Sequence, residues 1–486
     1  MNDSVSTPPS RESLLAKLSP LGQDHLLAFW DQLNAAQQRQ LAAQIEEIDL
    51  TVLRDLREQY GSSATKPDDI SPWAALAARA ESPPAVRLDS QGLPCGLAEA
   101  HERGEQALRR GEVGMILVAG GLGTRLGLER PKGMFELGPL SKRPLFQILI
   151  EHLLAVGQRF GQAIPLYIMT SSATDAETRK FLTAHDHFGL NERQLRYFCQ
   201  GSMWALDAAG QRVLLESPDS LFLGPDGHGG MLQALDRSGA LDDMRQRGLG
   251  TIFYGQIDNP LLQVCDPLLL GKHLVARSEM TTQVVRKRNP LERVGNVVGI
   301  DGRVQVIEYS DLPEQAARQQ NADGSLKLWA GNLAVHVFDV AFLSRVASQP
   351  DALPFHAARK KARCLDAQGN LAEPTQPNAI RFERFIFDLL PSAENALVVE
   401  ADPAEAFAPV KNADGEATDT PTTARRAMQD QARRMLVAAG VQVQDDVAVE
   451  INPLWALDTE EIAAKLPPGT VIDKPTYFSP DGPLQV

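Results

Sequence analysis

The sequence of 486 residues has few cysteines and no long apolar run. Its four cysteines, Cys95, Cys199, Cys265 and Cys364, form no Cys-x-x-Cys pair, so the sequence predicts neither a disulfide framework nor a zinc site. It also lacks the run of about 18 apolar residues that could span a bilayer. The N-terminal residues lack the basic segment and apolar stretch of a signal peptide. We therefore expect a cytoplasmic protein with no membrane partner.

Concentrated basic charge is missing as well. The formal net charge is −14, and the lysines and arginines are dispersed along the chain. Nucleic acids and anionic membranes need a basic surface that displaces counterions, so neither is expected as the main partner. A phosphate ligand can still bind where a few cations and backbone N–H groups converge.

The residue patterns divide the chain into three predicted parts. Apolar residues at spacings of three and four from Arg11 to about Tyr60 predict helices. The stretches "GSSATKPDDISP" and "ESPPAVRLDSQGLP" predict a wrapping connector. We place the helical region and connector at residues 1–105, a core at 106–405, and a small C-terminal α+β domain at 406–486.

The core alternates strand-like and helix-like runs. "MILVAG", "IPLYIMTS", "QLRYFCQ", "TIFYGQID", "NLAVHVF" and "ALVVEA" read as strands, and "RPLFQILIEHLLAVGQ", "DAETRKFLTAH" and "IRFERFIFDLL" as helices. This order predicts an α/β fold with a parallel sheet and ligand sites at the carboxyl ends of its strands. Asp301-Gly302 predicts a hairpin turn, and "TARRAMQDQARRMLVAA" a C-terminal helix.

A glycine-rich loop follows the first predicted strand, in "ILVAGGLGTRLGLERPKGMFELG". Its glycines let the backbone approach an anion closely, and Arg125 and Lys132 add two cations of different geometry. No Gly-Lys-Ser/Thr ends the loop, which excludes a P-loop. Leu126 stands where a dinucleotide fingerprint needs its third glycine, which disfavours a nicotinamide-dependent dehydrogenase.

The pattern Gly-x-Gly-Thr, six residues and then Pro-Lys is similar to the signature of sugar nucleotidylyltransferases. The chain resembles the UDP-N-acetylhexosamine pyrophosphorylases in particular, within the UDP-glucose/UDP-sugar pyrophosphorylase family. The similar blocks are "LGQDHLLAFWDQL", "YIMTS", "PDGHGG", "IDNPLLQVCDP", "VIEYSD", "DGSLKLWAGNLAVHVF", "FIFDLL" and "PVKNADGEATDTPTTAR".

The resemblance implies a Rossmann-like nucleotidyltransferase core and a uridylyltransferase that forms a UDP-sugar and pyrophosphate from UTP and a sugar 1-phosphate, with Mg²⁺ as cofactor. It assigns catalytic roles to Arg125, Lys132 and Lys411, and metal binding to Asp258. It assigns sugar phosphate binding to His228, Glu308 and Asn332. UTP binding falls to Val118, Ala119, Gly120, Gly121, Lys132, Gln200, Gly227, Asp258 and Lys411.

The residues alone leave structural roles open at these positions. Without the resemblance, Gln200 reads as a loop residue, Asp258 as a turn or helix cap, and Lys411 as surface charge. Glu308 could end a hairpin, and Asn332 could begin a strand.

Other charged residues are expected to be structural. His185 and His187 lie at the end of a predicted helix, where a cation complements the helix dipole. This structural role is favoured over metal binding. The run "ARKKAR" is typical of a solvated face.

His228 departs from the acetylhexosamine pattern, which usually has asparagine there, whereas Gly-His-Gly is typical of the UDP-glucose and UDP-sugar enzymes. N-acetylglucosamine 1-phosphate is the expected substrate, because the overall block similarity supports it. Glucose 1-phosphate or a broad range of sugars is the alternative, and a nucleotide-binding relative without turnover is a further one. The sequence leaves the oligomeric state open.

Overall fold

The computed structural model describes residues 10–61, 72–89, 91–349, 352–366 and 368–486. Their contacts form two compact units: unit 1 takes Met1–Ser71, Gly201–Gly230 and Leu353–Phe385, and unit 2 takes Pro72–Gln200, Met231–Ala352 and Ile386–Val486. Each unit therefore joins segments that are distant in sequence. The boundaries predicted at residues 105 and 405 remain predictions.

Unit 2 contains a nine-stranded mixed sheet, which confirms the α/β class. Four neighbouring strands are parallel as predicted, and their order in the sheet is Thr251–Gln256, Val113–Val118, Leu166–Thr170 and Leu195–Cys199. The long strand Ala330–Asp339 runs antiparallel to its neighbours Thr251–Gln256 and Met280–Arg286. The sheet is thus mixed rather than wholly parallel, and Ala396–Glu400 pairs in parallel with Met280–Arg286.

The predicted hairpin closes one edge of this sheet. Asn296–Ile300 pairs antiparallel with Arg303–Ile307, and Asn296 also pairs with Gly331 of the long strand. Asp301 and Gly302 have φ values of 50° and 78°, the left-handed conformation that a two-residue hairpin turn requires. The prediction of a turn at this dipeptide is therefore confirmed.

Helices cover the sheet and share its core. Leu145–Phe160 buries its apolar face against residues of the parallel strands. Leu97–Arg109 packs on Pro267–Val275 with Gly104 and Gly271 at the crossing, where a Cβ on either glycine would collide with backbone of the other helix. The other helices of unit 2 are Pro72–Arg79, Asp175–Ala184, Met231–Arg237, Ala240–Gln246, Glu314–Ala317, Val340–Ala347, Pro403–Ala406, Pro421–Ala438 and Thr459–Lys465.

The C-terminal residues of unit 2 have a hydrophobic cluster of their own. The helix Pro421–Ala438, predicted from the sequence, packs there with Thr459–Lys465. The strand Thr476–Ser479 pairs with Val449–Ile451 and Gly482–Gln485, and Gln442–Val443 pairs with Val471–Ile472.

Unit 1 contains the predicted N-terminal helices. They are Arg11–Leu18, Ala35–Glu46 and Leu50–Tyr60, with single 3₁₀ turns between the first two. Asn34 and Gln37 form a reciprocal capping box, which explains why the second helix begins at Ala35. Short pairs complete the unit: Ser202–Trp204 with Leu223–Pro225, Leu215–Ser217 with Ser220–Leu221, and Cys364–Leu365 with Leu371–Ala372.

One helix prediction is wrong. The stretch "IRFERFIFDLL" supplies the strand Ala379–Glu383, which pairs with His356–Lys360 and Leu206–Asp207, and then a 3₁₀ segment, Ile386–Ser392. Ile380 and Phe382 point into the unit 1 core. Burial at every second residue suits a strand, and pairing with two neighbours overrides the helical pattern.

The connector predictions fall in two parts. The first stretch lies almost wholly outside the described residues. The second pairs with two strands of the unit 2 sheet, where Glu81 bridges Gly299 and Val86 bridges Val399. None of the helices in the described parts of the chain is long and apolar enough to cross a membrane.

Candidate functional site

The glycine-rich loop begins between two parallel strands. The carbonyl of Val118 accepts from the N–H of Ile257 at 3.0 Å, and the N–H of Ala119 donates to the carbonyl of Met169 at 2.8 Å. These bonds fix the start of the loop at the carboxyl end of the sheet, where α/β folds place their ligands.

The base of the loop is closed while its successive amides stay free. Lys132 N–H donates to the Gly121 carbonyl at 3.0 Å, and Gly123 N–H donates to the Arg130 carbonyl at 2.8 Å. Within the described residues, the N–H groups of Gly120, Gly121 and Leu122 donate to no atom. Three consecutive unused amides can hold an anion, as the sequence predicts.

Gln200 lies directly against this loop. It is buried, and its N–H donates to the carbonyl of Thr170 at 2.9 Å. A Cβ at Gly120 would lie 2.6 Å from Oε1 of Gln200, so the close approach requires glycine at position 120. Ser171 holds the other side of the loop by donating its hydroxyl to the Gly120 carbonyl at 2.7 Å. The UTP contact of Gln200 remains a prediction.

Lys132 and Asp258 lie beside the loop. Lys132 begins a short 3₁₀ turn, and Asp258 follows the strand Thr251–Gln256. Lys132 Nζ is 3.8 Å from Asp258 Oδ2, and the two side chains are 19% and 12% exposed. Each side chain keeps a small exposed fraction, and the 3.8 Å separation is longer than a hydrogen bond.

Lys411 is brought to the same place through its backbone. The N–H of Val410 donates to the Asp258 carbonyl at 2.8 Å, and the N–H of Lys411 donates to the Asp419 carbonyl at 2.7 Å. Lys411 Nζ lies 5.9 Å from the centroid of the Phe407 ring. Burial raises the pKa of Asp419, whereas the charge of Lys411 opposes that rise.

Asn259 is a residue of this site that sequence reasoning missed. Its Nδ2 donates to the Ala406 carbonyl at 2.7 Å, and its Oδ1 accepts from the Ala408 N–H at 3.1 Å. A buried amide thus holds the segment that carries Lys411. The signal available in the sequence was a polar pair, Asp258-Asn259, directly after a buried strand.

Glu308 and Asn332 are brought together at Gly295. A Cβ on Gly295 would lie 3.0 Å from Glu308 Oε1 and 3.7 Å from Asn332 Cβ. The N–H of Asn332 donates to the Gly295 carbonyl at 2.8 Å, and its Oδ1 accepts from the N–H of Ala334 at 3.0 Å. Acceptor and amide groups placed side by side suit a polyhydroxyl ligand.

Gly227 and His228 belong to unit 1, in a loop pressed against the strand end at Arg384. Gly227 has a φ of 83°, Arg384 N–H donates to the Asp226 carbonyl at 2.8 Å, and Gly229 N–H donates to the Arg384 carbonyl at 2.8 Å. Sequence reasoning missed Arg384, whose guanidinium lies 4.0 Å from the centroid of the Phe355 ring.

The ring of His228 stacks on Phe385, with centroids 5.2 Å apart and an interplanar angle of 28°. Burial and, to a smaller degree, the neighbouring His356 lower the pKa of His228 to about 4. The imidazole is therefore neutral near pH 7, and one nitrogen donates while the other accepts.

Arg125 is exposed on the 3₁₀ turn Thr124–Leu126 of the glycine-rich loop.

His185 Nδ1 donates to the Phe181 carbonyl at 2.8 Å, and its ring stacks on Phe188, so this histidine has structural contacts. The charge run at residues 358–363 is mostly exposed. In the part of the chain that the structure describes, no three His, Cys, Asp or Glu residues form a metal-binding group.

The arrangement in unit 2 suits a substrate that carries several phosphates. Unused amides and Lys132 offer positive partners near the Asp258 carboxylate, and Lys411 follows Val410, whose N–H donates to the Asp258 carbonyl. The described residues of this site include no serine or cysteine nucleophile paired with a base. The site can therefore orient and stabilise phosphates by electrostatics.

Comparison with known proteins agrees with this geometry. Residues 76–446 match the family described as UTP--glucose-1-phosphate uridylyltransferase. The chain is 35% identical over 471 residues to the UDP-N-acetylhexosamine pyrophosphorylase-like protein 1 of Xenopus tropicalis, covering 94% of this chain and 91% of that protein. It is 34% identical over 448 residues to the UDP-N-acetylglucosamine pyrophosphorylase of Saccharomyces cerevisiae, covering 89% and 92%.

A solved structure is similar over nearly the whole chain. The crystal structure of the uridine diphosphate N-acetylglucosamine pyrophosphorylase from Trypanosoma brucei, in complex with an inhibitor, aligns with a TM-score of 0.79 and 26% identity. The alignment covers 97% of this chain and 99% of that one.

Proposed function

The chain belongs to the UTP--glucose-1-phosphate uridylyltransferase family, and we propose that it forms UDP-N-acetylglucosamine and pyrophosphate from UTP and N-acetylglucosamine 1-phosphate. One observation carries the proposal from the structure. The lysine of the glycine-rich loop and the backbone that carries Lys411 both meet Asp258, although the three positions are far apart in sequence.

The proposed reaction exchanges one phosphoanhydride bond for another. A phosphate oxygen of the sugar 1-phosphate forms a bond to the α-phosphorus of UTP, and the bond from that phosphorus to the pyrophosphate oxygen breaks. Both reactants are anions, so the protein must hold them in line and offset their charge. The amides of Gly120 and Gly121 bind the triphosphate, and Lys132 and Lys411 stabilise the charge that develops on it.

The residues also fit a magnesium ion. Mg²⁺ is commonly held through one or two carboxylates together with substrate phosphates, and Asp258 offers one partly exposed carboxylate. When bound, the ion would neutralise phosphate charge and polarise the α-phosphate. Lys132 Nζ, 3.8 Å from Asp258 Oδ2, is a cation near this carboxylate in the structure.

The resemblance assigns sugar phosphate binding to His228 of unit 1 and to Glu308 and Asn332 of unit 2. A neutral imidazole can donate to a hydroxyl or phosphate oxygen as an asparagine amide does, so His228 is compatible with an acetylated sugar. The named relatives favour N-acetylglucosamine 1-phosphate over glucose 1-phosphate.

A cytoplasmic location stays a prediction from cysteine usage.

The first experiment measures pyrophosphate release with UTP and Mg²⁺. It compares N-acetylglucosamine, N-acetylgalactosamine, glucose and galactose 1-phosphates side by side. We expect the highest kcat/KM with N-acetylglucosamine 1-phosphate. Preference for glucose 1-phosphate would assign His228 to a change of substrate, and release with none of the four would leave a nucleotide-binding relative without turnover.

Variants at the two lysines connect the activity to this site. Lys132→Ala and Lys411→Ala should each lower kcat by roughly 10²- to 10³-fold, the usual effect of removing one preorganised group from a developing charge. The exposed Lys180 on the helix Asp175–Ala184 serves as the matched control, since Lys180→Ala removes a solvent-exposed lysine charge that the proposed reaction does not use. Full activity in both site variants would refute the assignment.

A further inference from the structure

Lys287 is a buried lysine that no step of the proposed reaction uses. It lies just beyond the strand Met280–Arg286 and is 7% exposed. Its Nζ donates to Asn296 Oδ1 at 2.5 Å and to the Pro290 carbonyl at 3.4 Å. Burial lowers the pKa of Lys287 to about 8, although the charge of Glu292 opposes the fall. A lysine is costly to bury, and the two acceptors of Lys287 offset part of that cost.

Asn296, which accepts from Lys287, also donates hydrogen bonds to two backbone carbonyls. Its side chain is almost completely buried, and its Nδ2 donates to the carbonyls of Val294 and Ile307, each at 3.3 Å. Val294 immediately precedes Gly295, and Ile307 immediately precedes Glu308. One amide therefore bonds to the backbone immediately before Gly295 and immediately before Glu308.

The same network reaches Asn332. The Gly295 carbonyl accepts from the Asn332 N–H at 2.8 Å, and a Cβ on Gly331 would lie 3.4 Å from Lys287 Cγ. Lys287 thus packs along the strand that carries Asn332, while Asn296 holds the hairpin that carries Glu308. The two side chains join the elements that present both sugar-binding candidates.

We propose that Lys287 and Asn296 form a positioning pair that sets the spacing of Glu308 and Asn332 and thereby the affinity for the sugar 1-phosphate. The inference rests on the proposed function, since it takes Glu308 and Asn332 as the sugar-binding groups. The proposed role of Lys287 and Asn296 requires no contact with the substrate. Their effect passes through the backbone at Gly295 and Ile307.

Asn296→Asp separates positioning from stability. The carboxylate keeps an acceptor for Lys287, so the buried cation remains paired, but it replaces the amide donor with an oxygen that repels the Val294 and Ile307 carbonyls. We expect KM for the sugar 1-phosphate to rise about tenfold or more, while KM for UTP and kcat change less than about threefold.

Asn395→Asp is the matched control. Asn395 also donates Nδ2 to two backbone carbonyls, those of Ala276 and Arg277, at 2.6 and 3.2 Å. It precedes the strand Ala396–Glu400, near the opposite end of Met280–Arg286 from Lys287. We expect this variant to keep both KM values. Restoration of the sugar KM in Asn296→Gln, which keeps the amide donor, would further support positioning.

Amide hydrogen exchange gives a readout that does not depend on turnover. The N–H of Asn332 should exchange faster in Asn296→Asp than in the native chain, while the N–H of Ile257 should be unchanged. Equal rises in both KM values, or an unchanged sugar KM, would overturn the inference. If the native chain turns over no sugar 1-phosphate, the proposed function fails, and an unchanged Asn332 exchange rate would then overturn the positioning pair separately.

Discussion

The N–H of Val410 donates to the carbonyl oxygen of Asp258 across 2.8 Å. Lys411 follows Val410 in the chain, so this backbone bond holds the residue next to Lys411 against Asp258, the candidate metal ligand. Lys132 Nζ lies 3.8 Å from the carboxylate of the same aspartate. Asp258 therefore organises the site with its main chain as well as with its side chain, and the segment that contains Lys411 must be held firmly.

Asn259→Ala tests this requirement. The substitution removes the bonds of a buried amide to the Ala406 carbonyl and the Ala408 N–H, which should lower the free energy of unfolding by about 1–3 kcal/mol. We expect kcat to fall as well, because Lys411 loses its fixed position. Urea titration and steady-state kinetics measure both effects. A variant that loses stability but keeps the native kcat at a temperature where it is folded would contradict the positioning role.

Gly120→Ala should weaken UTP binding. Its Cβ would lie 2.6 Å from Gln200 Oε1 and 3.3 Å from the carbonyl carbon of Thr170, so the Gln200 carboxamide must move. We expect KM for UTP to rise, with little change in KM for the sugar 1-phosphate. The neighbouring Gly121→Ala is informative for comparison, since its Cβ would meet no atom within 4 Å. Gln200 should keep its place in that variant, and an unaltered UTP affinity in Gly120→Ala would count against the contact.

His228 should make stability depend on pH. Its pKa falls from an ordinary value of 6.5 to about 4 in the folded chain, so between these values the unfolded chain takes up a proton that the folded chain does not. Stability from this group is therefore present above about pH 6.5 and is lost as the pH falls toward 4. We expect the free energy of unfolding to decrease less on acidification in His228→Asn than in the native chain. Parallel curves for the two proteins between pH 7 and pH 5 would show that His228 carries no such linkage.

Glu450→Gln should destabilise unit 2. Glu450 accepts from Arg143 Nη2 at 2.9 Å and from the N–H groups of Leu140 and Ser141 at 2.7 and 2.8 Å. Arg143 and Glu450 are 5% and 2% exposed, and Glu151 is the second carboxylate on Arg143. Removing one partner of a buried pair costs about 3–5 kcal/mol. Thermal unfolding should show a lower Tm, whereas Glu460→Gln at an exposed position should leave Tm almost unchanged.

Local pattern was sufficient to predict most elements. Alternation and helical spacing predicted the parallel strands and the covering helices, and Asp301-Gly302 predicted its turn because few dipeptides adopt two positive φ values. The strand Ala379–Glu383 was misread because its partners, His356–Lys360 and Leu206–Asp207, are set by tertiary pairing. Short apolar runs do not separate the two states on their own.

The site was predictable only where a motif carried it. The glycines of the loop motif predict backbone amides that can bind an anion. In contrast, nothing in the local sequence indicates that Gly295 leaves room for Glu308 beside Asn332. Asn259 and Lys287 were missed for the same reason. Their importance lies in bonds to residues distant in sequence, which no local pattern contains.

Unit 1 is built from segments that are distant in sequence, and this affects how the chain folds during synthesis on the ribosome. Its core joins Leu14 and Leu53 from the first helices with Ile380 and Phe382 from a strand more than three hundred residues later. The N-terminal helices therefore emerge long before the strand that completes their burial. Until translation passes Phe385, they carry exposed apolar faces, and this interval is when a nascent chain most needs chaperone protection against aggregation.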